Sequence, residues 1–182
     1  LTLVKAADIK NVKRVLDLGT GAGFPGIPLK IAFPDTEFVL LDSLNKRVKF
    51  LHDIIGLCRL KKIQAVHGRA EELAGKKEYR ESFDLCVSRA VANLSSLSEY
   101  CLPYVEKGGL FVSYKSGNIQ EELEAAGYAI QILGGRIEDT VKFKLPGSDM
   151  DRSLVVIEKI KETPARYPRR AGIPSREPLV RK

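Results

Sequence analysis

The sequence is poor in the residues that usually carry metal or covalent chemistry. Of 182 residues only two are histidine (His52 and His67) and three are cysteine (Cys58, Cys86 and Cys101). No spacing among them suits a metal, so no metal centre is expected. An odd number of cysteines set in apolar stretches points to reduced core thiols and a cytoplasmic protein. Neither histidine has an evident partner, and both are read as structural or solvent-facing. No apolar run approaches membrane-spanning length and no basic-then-apolar leader is seen, so no membrane partner is expected. Internal repeats and heptads are missing as well, which argues against solenoid and coiled-coil architectures.

What is present is an ordinary globular mixture, 44% hydrophobic and 29% charged, enough for one domain with a sizeable core. The net charge of +7 is unevenly placed: residues 161–182 hold seven basic and two acidic side chains, a net +5 that leaves +2 for the rest. The reading is a domain over residues 1–160 followed by a basic, Pro/Arg-rich tail over 161–182. Such a surplus points to a polyanion rather than an acidic small molecule, with a merely solubilising tail as the alternative. Pro164, Pro168, Pro174 and Pro178 argue against regular structure in the tail. Tyr167 among Arg166, Arg169 and Arg170 suits phosphate contact with base stacking, and Arg176 extends the set.

The chain is organised around Val15-Leu16-Asp17-Leu18-Gly19-Thr20-Gly21-Ala22-Gly23-Phe24-Pro25-Gly26. Residues 14–18 read as a buried strand, the glycines as a tight loop, and Pro25 as the first turn of a helix. The segment satisfies two fingerprints. Gly21-x-Gly23-x-x-Gly26 matches a dinucleotide loop. Asp17-x-Gly19-x-Gly21-x-Gly23 matches the loop by which Rossmann-like methyltransferases hold S-adenosylmethionine. Asp17 discriminates between them. A carboxylate at the strand end repels a pyrophosphate but favours a ligand that carries a sulfonium and an ammonium. The methyl donor is therefore preferred, with a nicotinamide or flavin nucleotide as the alternative.

Taken in order, residues 1–10 read as the end of a helix. A strand over residues 37–41 ends in Asp42, which can accept hydrogen bonds from ribose hydroxyls. Asp42 or Ser43 caps the next helix, in which Val48, Leu51, Ile54, Ile55 and Cys58 should face the sheet and Lys46, Arg47 and Lys49 the solvent. A third strand over residues 63–67 delivers Gly68-Arg69-Ala70-Glu71-Glu72, where Ala70 and Glu71 can address an adenine ring. The fourth strand, residues 82–87, leads to Ser88-Arg89-Ala90-Val91-Ala92-Asn93. Arg89 can hold the donor's carboxylate or an RNA phosphate or guanine edge; tying down its own loop is the structural alternative. A helix over residues 93–105 closes at Lys107-Gly108-Gly109, and a fifth strand, residues 110–114, presents Lys115. Residues 118–126 read as a helix, and residues 128–133 and 152–159 as the last strands. Between those strands lies a basic, turn-rich segment, residues 142–148.

The loop after strand four lacks the Asn/Asp-Pro-Pro-aromatic pattern of exocyclic-amine methylation. Cys86 lies in a strand and Cys101 in a helix, neither where a pyrimidine-carbon nucleophile is needed. An acceptor that needs no covalent help remains, and guanine N7 is one; a small molecule or a ribose is not excluded.

Together these residues resemble the bacterial small-subunit ribosomal RNA guanine-N7 methyltransferases, also called glucose-inhibited division protein B. Residues 15–29 are similar to that family's first motif. Phe24-Pro25-Gly26-Ile27-Pro28 is its specific part. Leu41-Asp42-Ser43 with Lys46-Arg47, Gly68-Arg69-Ala70-Glu71-Glu72, Val87-Ser88-Arg89-Ala90, Leu154-Val155-Val156-Ile157 and Tyr167-Pro168-Arg169-Arg170-Ala171-Gly172-Ile173-Pro174 resemble later ones. The resemblance covers nearly the whole chain, although the family carries a further helical segment ahead of these residues. It implies an α/β fold of the Rossmann-like class I methyltransferase type, an open seven-stranded, mostly parallel sheet with helices on both faces and the last strand antiparallel. It also implies a donor site of Gly19, Phe24, Asp42, Ser43, Ala70, Glu71 and Arg89, to which the fingerprint of the glycine loop adds Asp17, Gly21 and Gly23. Arg89 and Lys115 would position the reactants. The expected partner is a loop of 16S ribosomal RNA, free or in the small subunit, and the protein is expected to act as a monomer. A small-molecule methyltransferase, an NAD-dependent oxidoreductase and a non-catalytic RNA-binding module stand as alternatives.

Overall fold

A computed structural model describes residues 1–89 and 92–181. Ala90 and Val91, in the loop after the fourth strand, and Lys182, in the basic tail, lie outside the described residues. Seven strands form one sheet: β1 (Arg14–Leu18), β2 (Glu37–Asp42), β3 (Ile63–His67), β4 (Phe83–Ser88), β5 (Val105–Ser116), β6 (Gly135–Lys144) and β7 (Asp151–Lys159). Their order is β3-β2-β1-β4-β5-β7-β6. The first five run parallel, and β7 is antiparallel to both of its neighbours. The chain moves outward from β1 to β3 and then returns to β4. The order therefore reverses between β1 and β4, and a crevice opens past the carboxyl ends of those strands, where ligands of open α/β sheets bind.

The central strands are buried on both faces, so their residues alternate between two cores. Leu16, Val39, Cys86, Phe111 and Val155 meet one side, under α4 (Leu94–Cys101) and α5 (Gln120–Ile132). Val15, Phe38, Leu85, Val112 and Leu154 meet the other with Leu29 of α1 (Gly26–Ala32), while Leu40 packs on Val48 and Leu51 of α2 (Asn45–Leu57). Short helices α3 (Ala70–Leu73) and α6 (Ile173–Arg176) complete the molecule. Among the described residues, no helix is long and apolar enough to cross a membrane.

Several elements differ from the sequence reading. Residues 2–5 and 9–11 are 3₁₀ turns rather than the end of an α-helix. Pro25 is the N-cap residue of α1 and not its first turn. Residues 128–132 continue α5 instead of starting a strand, because Ala126, Ala129, Ile130 and Leu133 line one buried helical face and Gly127 sits where a side chain would meet nothing. The strand that follows, β6, absorbs residues 142–144. It is a charged edge strand whose few apolar residues, Ile137, Val141 and Phe143, are interrupted by a register shift between Ile137 and Asp139.

The helix after Asn93 ends at Cys101, and a 3₁₀ turn leads straight into β5. That strand runs through Lys107-Gly108-Gly109, beside a register shift between Phe83 and Leu85. A Cβ on Gly109 would sit 2.7 Å from the Asp84 carbonyl oxygen, so this close strand passage requires glycine. Cys86 and Cys101 are buried as expected, but Cys58, at the exposed end of α2, faces solvent.

The basic tail is packed on the domain. Thr163, Tyr167 and Pro174 are buried. Arg80 donates to the Thr163 and Tyr167 carbonyls, at 2.7 and 3.0 Å. Arg169 forms a two-pronged ion pair with Glu99 of α4, whose side chain is fully buried. Tyr167 is thus inside and not available for base stacking, and α6 gives regular structure to a proline-bearing stretch.

Candidate active site

Asp17, at the sheet end of β1, is fully buried. Its Oδ2 accepts from the Thr20 hydroxyl and from the Gly26 N–H, both at 2.7 Å, which staples the start of the glycine loop to the start of α1. A side chain at Gly26 would run into Leu40 and the Asp17 carboxylate, so only glycine lets the helix start there. Its Oδ1 has no hydrogen-bond partner among the described residues. Burial pushes this carboxyl up to about 6; the Thr20 and Gly26 hydrogen bonds and the Arg89 charge oppose the rise, and Asp42 adds to it.

Asp42, at the end of β2, is also buried. It accepts from the Gly21 N–H and the Leu44 N–H, each at 2.9 Å, so the second strand holds the glycine loop in place. Arg47 approaches the same carboxylate at 3.4 Å. It is therefore part of the site and not simply exposed helix charge. Ser88 Oγ donates to the Leu18 carbonyl at 2.8 Å and pins the ends of β4 and β1 together.

Between these strand ends lies a cleft of about 600 Å³. Gly19, Gly21, Phe24, Asp42, Ser43, Ala70, Glu71 and Arg89 all line it. Asp17 and Gly23 do not; they lie beneath the loop and shape it. The cleft has further walls that sequence reasoning missed: Thr20, Arg47, Leu97, Tyr100, and Gly172 and Ser175 from the tail. Glu71 Oε1 accepts from the Gly172 N–H at 2.8 Å, and Ser96 Oγ donates to the Pro174 carbonyl at 2.6 Å, so the tail closes this side. The only sequence signal for that wall is the Gly172-Ile173-Pro174 punctuation.

A second cleft, of about 500 Å³, adjoins the first. Phe24 and Arg89 line both, with the guanidinium 5.7 Å from the ring centre, and so form the partition. Lys115 lines the second cleft but is engaged, donating to Glu122 at 2.6 Å and to the Ala92 carbonyl at 2.9 Å. Of the tail arginines, Arg166, Arg170 and Arg176 are exposed, whereas Arg169 is taken up by Glu99. Among the described residues, no histidine or cysteine lines either cleft.

A family model described as GidB, rRNA small subunit methyltransferase G, matches residues 1–155. The chain belongs to this family. A protein of Lachnoclostridium phytofermentans named ribosomal RNA small subunit methyltransferase G is 58% identical over 182 residues, covering 100% of this chain and 75% of its own length. One of the same name from Clostridium tetani is 48% identical over 179 residues, or 98% of this chain and 75% of that protein. Among solved structures, the StiE O-MT fragment (residues 961–1257) superposes with a TM-score of 0.68 at 15% identity, over 90% of this chain and 74% of that one. The S-adenosylmethionine-dependent methyltransferase SibL gives 0.65 at 15% identity, over 88% and 54%. The fold is that of the Rossmann-like methyltransferases; the first cleft of this family member lies at its topological switch point and the second beside it, toward β5–β7.

Proposed function

We propose that this methyltransferase uses S-adenosylmethionine to methylate N7 of a guanine in a loop of 16S ribosomal RNA, in the cytoplasm. The small-subunit RNA comes from the names of its relatives, and N7 is what the resemblance to the guanine-N7 methyltransferases implies; the lining of the clefts supports it. The observation that carries the reading is the state of the carboxylates. Asp42 and Glu71, the acids lining the donor cleft, each accept backbone N–H groups, and Asp17 is sealed beneath the loop. Among the described residues no histidine and no unengaged carboxylate lines either cleft to take a proton. Guanine N7 offers a lone pair and has no proton to lose.

S-adenosylmethionine supplies a sulfonium methyl, whose transfer forms the bond to N7 while the carbon–sulfur electron pair returns to sulfur. The rest is placement by this chain, which can supply roughly 7–11 kcal/mol in favourable cases. The loop backbone at Gly19 and Gly21 receives the methionine end. Asp17, with one oxygen unpartnered, and Asp42 provide the negative field that the donor's sulfonium and ammonium would need. Asp42 has lone pairs to spare for ribose hydroxyls, Ser43 borders them, and Ala70 and Glu71 face the adenine. Phe24 and Arg89 stand where donor and acceptor meet, and Arg166, Arg170 and Arg176 offer charge for the RNA backbone.

The test is to incubate the protein with methyl-labelled donor and undermethylated small subunits, or RNA stripped from them, and then digest the RNA. Label in N7-methylguanosine is expected. Label in another nucleoside, or in small molecules without RNA, would overturn the reading.

A further inference from the structure

The second cleft has no assigned occupant. We infer that it receives the unpaired target guanine, flipped out of its RNA, with Phe24, Tyr114 and Phe143 as its aromatic walls and Arg152 as its phosphate anchor. This rests on the proposed RNA activity and names the acceptor side of that site.

Position is the first argument. The cleft shares Phe24 and Arg89 with the donor cleft, so whatever fills it lies across a single side-chain partition from the donor. A base held there meets the methyl group at the boundary between the two.

Its walls come from the far half of the sheet. Tyr114 is at the end of β5, Phe143 at the end of β6, and Arg152 at the start of β7. Because β7 is antiparallel to both neighbours, these three ends lie on the same side as the carboxyl ends of β1 and β4. Phe143 and Arg152 are direct partners in the β6–β7 ladder, which puts one ring and one guanidinium side by side at the rim.

Chemistry is the second argument. Phe24 is 49% exposed, an unusual state for a ring, and Phe143 is half-buried. Stacking on aromatic faces is the common way to hold a splayed RNA base. Arg152 donates to the Asp151 carbonyl at 2.8 Å and to the Met150 sulfur, and among the described residues it forms no ion pair with a carboxylate. Its charge remains available for a phosphate. Burial keeps the Tyr114 phenol protonated, so its hydroxyl can donate to the guanine O6 beside N7.

The experiment uses the full chain and its Phe143→Ala, Phe143→Leu, Arg152→Gln and Arg152→Lys variants. Donor affinity is measured by calorimetry, and kcat and KM with undermethylated small subunits. Phe143→Ala should keep donor affinity within about two-fold while kcat/KM falls about 10- to 100-fold, the range of a lost base–aromatic stack. Arg152→Gln should raise KM for RNA with kcat little changed, and Arg152→Lys should recover most of it. If Phe143→Ala fails to fold and loses donor binding, Phe143→Leu and Arg152→Gln carry the test. Unchanged transfer in folded variants would overturn the inference while parent-made N7-methylguanosine leaves the proposed function standing. A parent that labels another nucleoside would overturn both.

Discussion

At the scale of single residues, Asp17 bears the most on function. It is a buried carboxylate whose charged form lacks one hydrogen-bond partner, and its folded value near 6 lies above the ordinary 3.8. The sign follows. A carboxyl raised on folding favours the folded state fully below its unfolded value, and that contribution fades as pH rises through the folded value. Above about pH 6 the buried charge costs roughly 3 kcal/mol. Asp17→Asn should therefore gain stability over the parent as pH rises from about 4 to 7, measured by urea unfolding of both proteins at each pH. The same substitution removes negative charge from beneath a cationic donor. It should weaken S-adenosylmethionine binding by about ten-fold or more at neutral pH. In the parent, donor affinity should fall as pH drops through about 6, as Asp17 becomes protonated. A variant that binds donor normally would remove Asp17 from the account.

At the scale of elements, the tail acts as a wall rather than an appendage. Glu99 on α4 is fully buried, and Arg169 is its charged partner. Arg169→Ala strands that carboxylate, a change that typically costs about 3–5 kcal/mol. It should also release Gly172 and Ser175 from the donor cleft. Limited proteolysis should then cut the tail faster and calorimetry should show weaker donor binding, while Glu99→Gln with Arg169→Gln should recover much of the stability. Full donor affinity in a proteolysed tail would contradict this.

The elements also mark how far the sequence was legible. Strand and terminal acid recur at β1 and β2, with a glycine loop after the first, because the donor cleft and the parallel core ask for the same residues, so Asp17, Asp42 and the sheet's first half read directly. The second half did not. The helix read over residues 118–126 stops short of Gly127, whose open Cβ direction cannot be seen in sequence, and the apolar alternation of β6 is broken by the register shift between Ile137 and Asp139. Arg169 reads in sequence as an RNA contact, and Glu99 carries no signal of its own. Only the fold brings two residues 70 positions apart together.

At the scale of the whole molecule, the net charge of +7 suits the polyanionic partner proposed above. Exposed Arg166, Arg170 and Arg176, with Arg152 at the cleft rim, form its candidate phosphate contacts. RNA affinity should fall log-linearly with salt, and neutralising any one of these arginines should shallow the slope by about 0.7–0.9. Donor affinity, set by buried groups, should be far less sensitive to salt. Equal salt sensitivity of both would argue against separate donor and RNA surfaces.

In the proposed reaction the methyl group moves to a ring nitrogen by placement alone, with no base taking a proton. The most direct test is the single-turnover rate of methyl transfer to undermethylated small subunits at saturating donor, followed from about pH 7 to 9. The account predicts a flat profile over that range. A rate that climbs about ten-fold per pH unit would reveal a proton removed before or during transfer, and would contradict it.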